Sequence, residues 1–194
     1  MNENYETQTS NSKKITAYQL CSVSLITAVL CVVGPIAIPI GDIPVSFTNL
    51  ALLLAVYVLG AKLGTISCLL YLLLGIAGLP VFSGYAGGMA KLTGPTGGYL
   101  IGFIFLTYIS GLFIQKSNCN LFWSMVGMLL GMAALHIFGT GYYMHLTGCT
   151  FWQAVIVCKE PVFIFVDFIK ILFAAFTGRE IRRRLGQAHL LLNE

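Results

Sequence analysis

The strongest constraint on this chain is a succession of long apolar runs separated by short Gly, Pro or charged breaks. The runs lie near residues 15–34, 46–60, 64–79, 98–115, 121–144 and 153–178. A spanning helix needs about 20 residues, so the 194 residues accommodate about six spans with little soluble mass left over. Charge scarcity closes the soluble alternatives: 9% of residues are charged and 57% hydrophobic, with mean hydropathy +0.85, whereas a soluble domain carries about 25% charged residues. The long continuous runs also exclude a disordered chain and a barrel of alternating strands. The expected fold is an all-α integral membrane protein, a bundle of six transmembrane helices. Residues 1–14 form a polar tail, 15–178 the transmembrane domain and 179–194 a basic tail.

Several chemistries lack their residues. The six cysteines, at 21, 31, 68, 119, 149 and 158, contain no C-x-x-C pair and lie mostly in apolar runs, where they read as small apolar fillers. His136 and His145 are nine apart and His189 sits in the basic tail, so no i,i+3 or i,i+4 metal pair arises. No cofactor is expected. The first apolar run is too long for a signal-peptide core and lacks an A-x-A exit, so it is expected to remain as the first span. No lipoprotein cleavage signal precedes Cys21 or Cys31. Neither G-x-S-x-G nor H-E-x-x-H is present, which leaves an intramembrane hydrolase without a catalytic set. The glycine-rich segment around Lys91 is no phosphate-binding loop, because Lys91 follows Ala90 and precedes Leu92 rather than completing G-x-x-x-x-G-K-[ST]. An ATPase of its own is therefore not expected.

Charge sets the orientation. With a cytoplasmic amino terminus, the inner face collects Lys13, Lys14, Lys62, Lys116, Arg179, Arg182, Arg183 and Arg184, and the outer loops keep Lys91, with Lys159 near the outer edge. The positive-inside rule selects that arrangement, with both termini cytoplasmic in the cell membrane. The arginines after the last span read as an anchor on anionic membrane lipid rather than a nucleic-acid patch.

The outer loops are themselves apolar. Gly34 to Pro44 carries three prolines, so it breaks the helix yet resists exposure and is expected to pack down as a lid. Leu79 to Gly98 is glycine-rich with one charge, Lys91. Irregular backbone at membrane depth is tolerated where protein buries it or it lines a cavity. Two such loops on one face point to a pocket that opens outward.

Inside the last span, Asp167 and Lys170 each cost about 2.5 to 3.5 kcal/mol at a helix centre. Their i,i+3 spacing puts both on one face, in a stripe with Glu160, Phe163 and Ala174. The pair either neutralises itself and orients the helix, or faces a polar cavity and offers donors and acceptors to a solute. Helix 1 carries small residues at Ala17, Cys21, Ser24, Ala28 and Cys31, a stripe that lets another helix approach closely. That helix belongs either to this chain or to a second membrane protein.

The run GIAGLPVFSGYAGGMAKLTGPTGGYLIGF, Gly75 to Phe103, resembles the signature of the BioY family, the biotin-specific substrate-binding subunits (S-components) of energy-coupling-factor (ECF) transporters. The likeness extends to IPVSFTNLALLLAVYVLG from Ile43, to YLLLG from Tyr71 and to DFIKILFAA from Asp167, and covers nearly all of the chain except its tails. It implies a six-helix subunit that captures biotin from outside. Its implied partners are a transmembrane coupling subunit and two cytoplasmic ABC-type ATPases that drive release. The implied ligand residues are Asp167 and Lys170 on the family's D-x-x-K motif and the Ser46 to Asn49 stretch entering the second helix, with Thr48 and Asn49; Lys91 and Ser83 are further candidates, and Phe163 with Val81 or Phe82 is expected to cover the ligand's apolar ring. Some relatives carry Gln or Arg where this chain has Thr48 and Lys91. The implied docking stripe is Ala17, Cys21, Ser24 and Ala28, with Ser24 to Ala28 standing where the family class favours Ala-x-x-x-Ala. Three other readings are an S-component for a different vitamin, a stand-alone secondary transporter and an intramembrane enzyme. The second lacks a visible inverted repeat.

Overall fold

The computed structural model describes residues 16–38, 44–117, 119–157, 160–188 and 190, with the side chains of 157 and 160–163 excepted. The tail 1–14 with Lys13 and Lys14, and the cation Lys159, lie outside the described residues.

Helix α1, Ala17–Val33, starts at a capping box: the Thr16 hydroxyl accepts from Gln19 N, and the Gln19 side chain accepts from Thr16 N. Strand β1, Ala37–Ile38, pairs antiparallel with β2, Val45–Ser46, in the register Ala37 to Ser46 and Ile38 to Val45. The described ends of the first apolar connection thus pair as a short ribbon. Helix α2, Thr48–Ile76, follows, then the short α3, Met89–Thr93, then α4, Gly97–Lys116, and α5, Leu121–Thr147. The chain closes with the short α6, Phe151–Val157, and the long α7, Glu160–Gln187.

Element α2 is two helical segments. Gly60 sits at φ 82°, ψ −173°, outside helical geometry, in a region that favours glycine. A Cβ at Gly64 would lie 3.4 Å from the Cα of Val56, whereas eight residues of straight helix would separate those positions by about 12 Å. The chain therefore reverses at Gly60, and segments 48–59 and 61–76 lie side by side. Reversal strands the last carbonyls of the first segment, and Arg182 Nη1 answers one by donating to Tyr57 O at 3.2 Å. Counting α2 as two, the described residues hold six long helical segments, as the apolar runs predict. By length and composition α2, α4 and α5 are each apolar enough to cross a membrane, and α1 is a shorter apolar helix.

The bundle is apolar on both its inside and its outside, as lipid as a solvent demands. Leu52, Val56, Leu106, Ile114, Met128 and Ile171 form the buried centre. Leu73, Leu130, Ile137, Phe165 and Phe176 face outward. Helices α4 and α5 approach closely through small residues, with Gly102 against Leu135 and Gly131 against Leu106 and Ser110.

The last span differs from expectation. Residues 151–157 belong to a separate helix, and α7 runs on through the arginines to Gln187 rather than ending near 178. Polarity ends a membrane span without ending a helix, because Arg, Leu and Gln are good helix formers. Arg184 Nε donates to Glu180 Oε1 at 2.8 Å one turn away. That guanidinium holds the Glu180 carboxyl below the usual carboxylate range.

Candidate binding site beneath the two apolar loops

On α7 the burial pattern of a soluble helix is inverted. Phe165, Phe168, Ile169 and Phe173 are exposed to the surroundings, while Asp167 and Lys170 are 2% and 6% exposed. A buried charge at this depth needs partners, and three other elements supply them. Lys170 Nζ donates to Asp167 Oδ1 at 3.0 Å, to Asn49 Oδ1 at 3.0 Å and to the backbone carbonyl of Ser46 at 2.8 Å. Its three N–H groups are thereby all engaged. Asn49 Nδ2 donates to Asp167 Oδ1 at 2.7 Å, while Asn49 Oδ1 also accepts from Leu50 N in the first turn of α2, where backbone N–H groups have no helical partner. From α5, His136 Nε2 lies 3.1 Å from Asp167 Oδ2. Asp167 thus ties together α2, α5 and α7.

The two apolar connections, after α1 and after α2, roof this cluster and hold each other. Gly84 N donates to Pro35 O at 3.0 Å, and Tyr71 OH donates to Val81 O at 3.0 Å. Gly34 packs against Val81 O and the Tyr71 hydroxyl so closely that a Cβ there would overlap both. Phe82 and Ala86 exchange backbone hydrogen bonds across a tight turn in which Gly84 and Tyr85 have φ of 74° and 58°.

Between roof and cluster lies a small cleft, part of it open to solvent. Ser46, Asn49, His136, Asp167 and Lys170 make its polar wall. Leu100, Phe103, Leu135 and Tyr99 make the apolar wall, and Pro44, Phe82, Ser83, Lys91 and Thr96 come from the loops. Of the residues expected from sequence, Asp167, Lys170, Asn49, Lys91, Phe82 and Ser83 meet in this one cleft. Thr48 does not line it. Its side chain is buried, pairs with the Ser46 hydroxyl and donates to Gly34 O at 3.4 Å, so it joins the start of α2 to the end of α1. Phe163 falls on the backbone of α7, but its side chain lies outside the described residues.

Sequence reasoning passed over His136, Tyr99, Phe103 and Leu135. Spacing speaks only against His136 as a metal ligand; an ionisable residue inside an apolar span is itself the signal that points to it. Among the described residues no group of three or more His, Cys, Asp or Glu is placed to hold a metal ion.

The pair Asp167 and Lys170 cancels in charge, which suits a neutral polar ligand head with both donors and acceptors. Apolar walls suit a hydrophobic body, and Lys91 offers a cation to an anionic end.

Of the small-residue stripe of α1 only Cys31 packs against the core, and the other four residues face away from the bundle. Ala17, Cys21, Ser24 and Ala28 are all exposed, whereas Val23, Thr27 and Leu30 are buried. Thr27 Oγ1 lies 2.9 Å from Ser67 Oγ of α2. Packing against this chain therefore uses the other face.

Residues 7–187 match the model of the BioY family. A biotin transporter BioY of Thermotoga maritima is 35% identical over 168 residues, covering 85% of this chain and 96% of its own. The biotin transporter BioY2 of Lactococcus lactis subsp. cremoris is 31% identical, covering 89% and 94%. A crystal structure of the S-component for biotin from an ECF-type ABC transporter superposes with TM-score 0.78 at 30% identity, over 85% of this chain and 90% of that one.

Proposed function

The chain belongs to the BioY family, and from that premise we infer that it serves biotin uptake as the membrane-embedded substrate-binding subunit of an ECF-type transporter. The observation that carries this reading is the charge-compensated cluster of Asp167, Lys170 and Asn49, buried at the base of a cleft whose facing wall is apolar. Biotin combines a ureido ring that donates and accepts hydrogen bonds, an apolar thioether ring and a carboxylate on an aliphatic tail. The ureido N–H matches the remaining lone pairs of Asp167. Its oxygen reaches Lys170 by replacing one of the three internal acceptors. Phe82, Phe103 and Leu135 receive the thioether ring, and Lys91 with Ser83 at the loops meets the carboxylate. The test is equilibrium binding of biotin to the purified protein in detergent, with other vitamins as competitors. Saturable binding that only biotin and close analogues displace is expected; preferential displacement by another vitamin would reassign the substrate.

The cleft faces outward and both termini face the cytoplasm in this reading. Support comes from charge: Gly111 packs on Ala61 and Arg182 reaches Tyr57, which gathers Lys62, Lys116 and the arginines of α7 at one end of the bundle, opposite Lys91. The positive-inside rule makes that end cytoplasmic. In a cysteine-free background, Tyr85→Cys is expected to react with an impermeant thiol reagent added from outside. Modification only from the cytoplasmic side would invert the topology. Bound biotin is released inward when a transmembrane coupling subunit and two ABC-type ATPases, docked through Ala17, Cys21, Ser24 and Ala28, act on the loaded subunit. Membrane lipid surrounds the remaining outward apolar faces.

A further inference from the structure

His136 is a member of the ligand cluster that belongs neither to the D-x-x-K pattern nor to the polar segment entering α2. His136 projects from α5 into the cleft wall, and its Nε2 meets Asp167 Oδ2 at 3.1 Å. The opposite oxygen, Oδ1, already receives the ammonium of Lys170 and the amide of Asn49. With an ammonium and an amide on one oxygen, Asp167 is a carboxylate and acts as acceptor only, which puts the shared proton on Nε2 of His136. Each carboxylate oxygen accepts about two hydrogen bonds. Oδ1 is filled from within the protein, so a ligand N–H is left with Oδ2, the oxygen that His136 orients.

We propose that His136 is a positioning residue for substrate recognition: its Nε2–H fixes the rotation of the Asp167 carboxylate and leaves one lone pair of Oδ2 directed into the cleft for an N–H of the ligand. The same side chain stands between two spaces. It lines the cleft and also a lateral groove formed by α5, α6 and α7 with Ile137, Met144, Phe151 and Ile164. Without it, Asp167 would keep its ionic partner yet lose the contact that sets which way its second oxygen points.

This inference rests on the biotin reading of the cleft, and the experiment separates the two. Biotin affinity and thermal midpoint are measured for the parent, His136→Phe, His136→Asn and His136→Gln. Phe keeps a ring without a donor, Asn carries an amide too short to reach, and Gln places an amide N–H near the position of Nε2. The Phe and Asn variants are expected to bind about tenfold or more weakly, the loss of one hydrogen bond to a charged group. The Gln variant is expected to recover most of that loss. In an Asp167→Asn background, His136→Phe is expected to add no further loss, because the histidine acts through the carboxylate. Parental affinity in both Phe and Asn variants, an equal loss in Gln, or additive losses with Asp167→Asn would overturn the proposal. Should His136→Phe fail to fold, the Asn and Gln comparison decides alone. A parent that does not bind biotin at all would instead remove the substrate reading, and this inference with it.

Discussion

Lys170→Met and Asp167→Asn are each expected to weaken biotin binding by about ten- to a hundredfold, and the double variant is expected to stay weak. The geometry separates this outcome from a purely structural role. Lys170 and Asp167 are both nearly inaccessible and share Asn49 as a common partner. Removing one member of a buried pair strands the other charge at a cost of about 3 to 5 kcal/mol, whereas removing both together is often close to neutral. Thermal midpoint should therefore fall in each single variant and recover in the double. Affinity should not recover, since the double variant lacks both the carboxylate that accepts and the ammonium that donates. Measuring the midpoint and the dissociation constant on the same preparations distinguishes folding from recognition. Near-parental affinity in the double variant would reduce the pair to a helix-orienting device and sink the site assignment.

Ser24→Trp and Ala28→Trp are expected to abolish co-purification with the coupling subunit while leaving biotin binding to the solitary protein within about threefold. Both positions are exposed, one turn apart, on the face of α1 opposite Val23, Thr27 and Leu30. An indole there holds an approaching helix away without disturbing the packing of α1 on α2. If the Trp variants retain the coupling subunit at the parental level, docking uses another surface. Loss of biotin binding together with assembly would show that the substitutions damage the bundle itself.

Much of the site was legible because burying charge in an apolar span is costly wherever the chain folds. Asp167 and Lys170 announce themselves by that cost, and their shared helical face follows from spacing alone. The two apolar loops were legible for a similar reason, since apolar, Gly- and Pro-rich connections have to be covered, and the contact of Gly84 with Pro35 shows them touching each other. Thr48 shows the limit. It neighbours Asn49 in the same polar segment, yet one turns to Asp167 and the other to Gly34 O, a choice made by where α1 ends rather than by either residue's chemistry.

The sequence by itself determined the number of spans, the one-ended distribution of cations and the two intramembrane charges, because each is a property of a single segment against lipid or water. Tertiary structure alone decided that α2 reverses at Gly60, that the small face of α1 looks outward, and that His136, 31 residues from Asp167, completes the carboxylate's partners. Those outcomes depend on which helix lies beside which. In a chain whose segments are apolar on every face, periodicity carries no record of the neighbour, and only interlocking side chains and the need to pair each buried polar group select it.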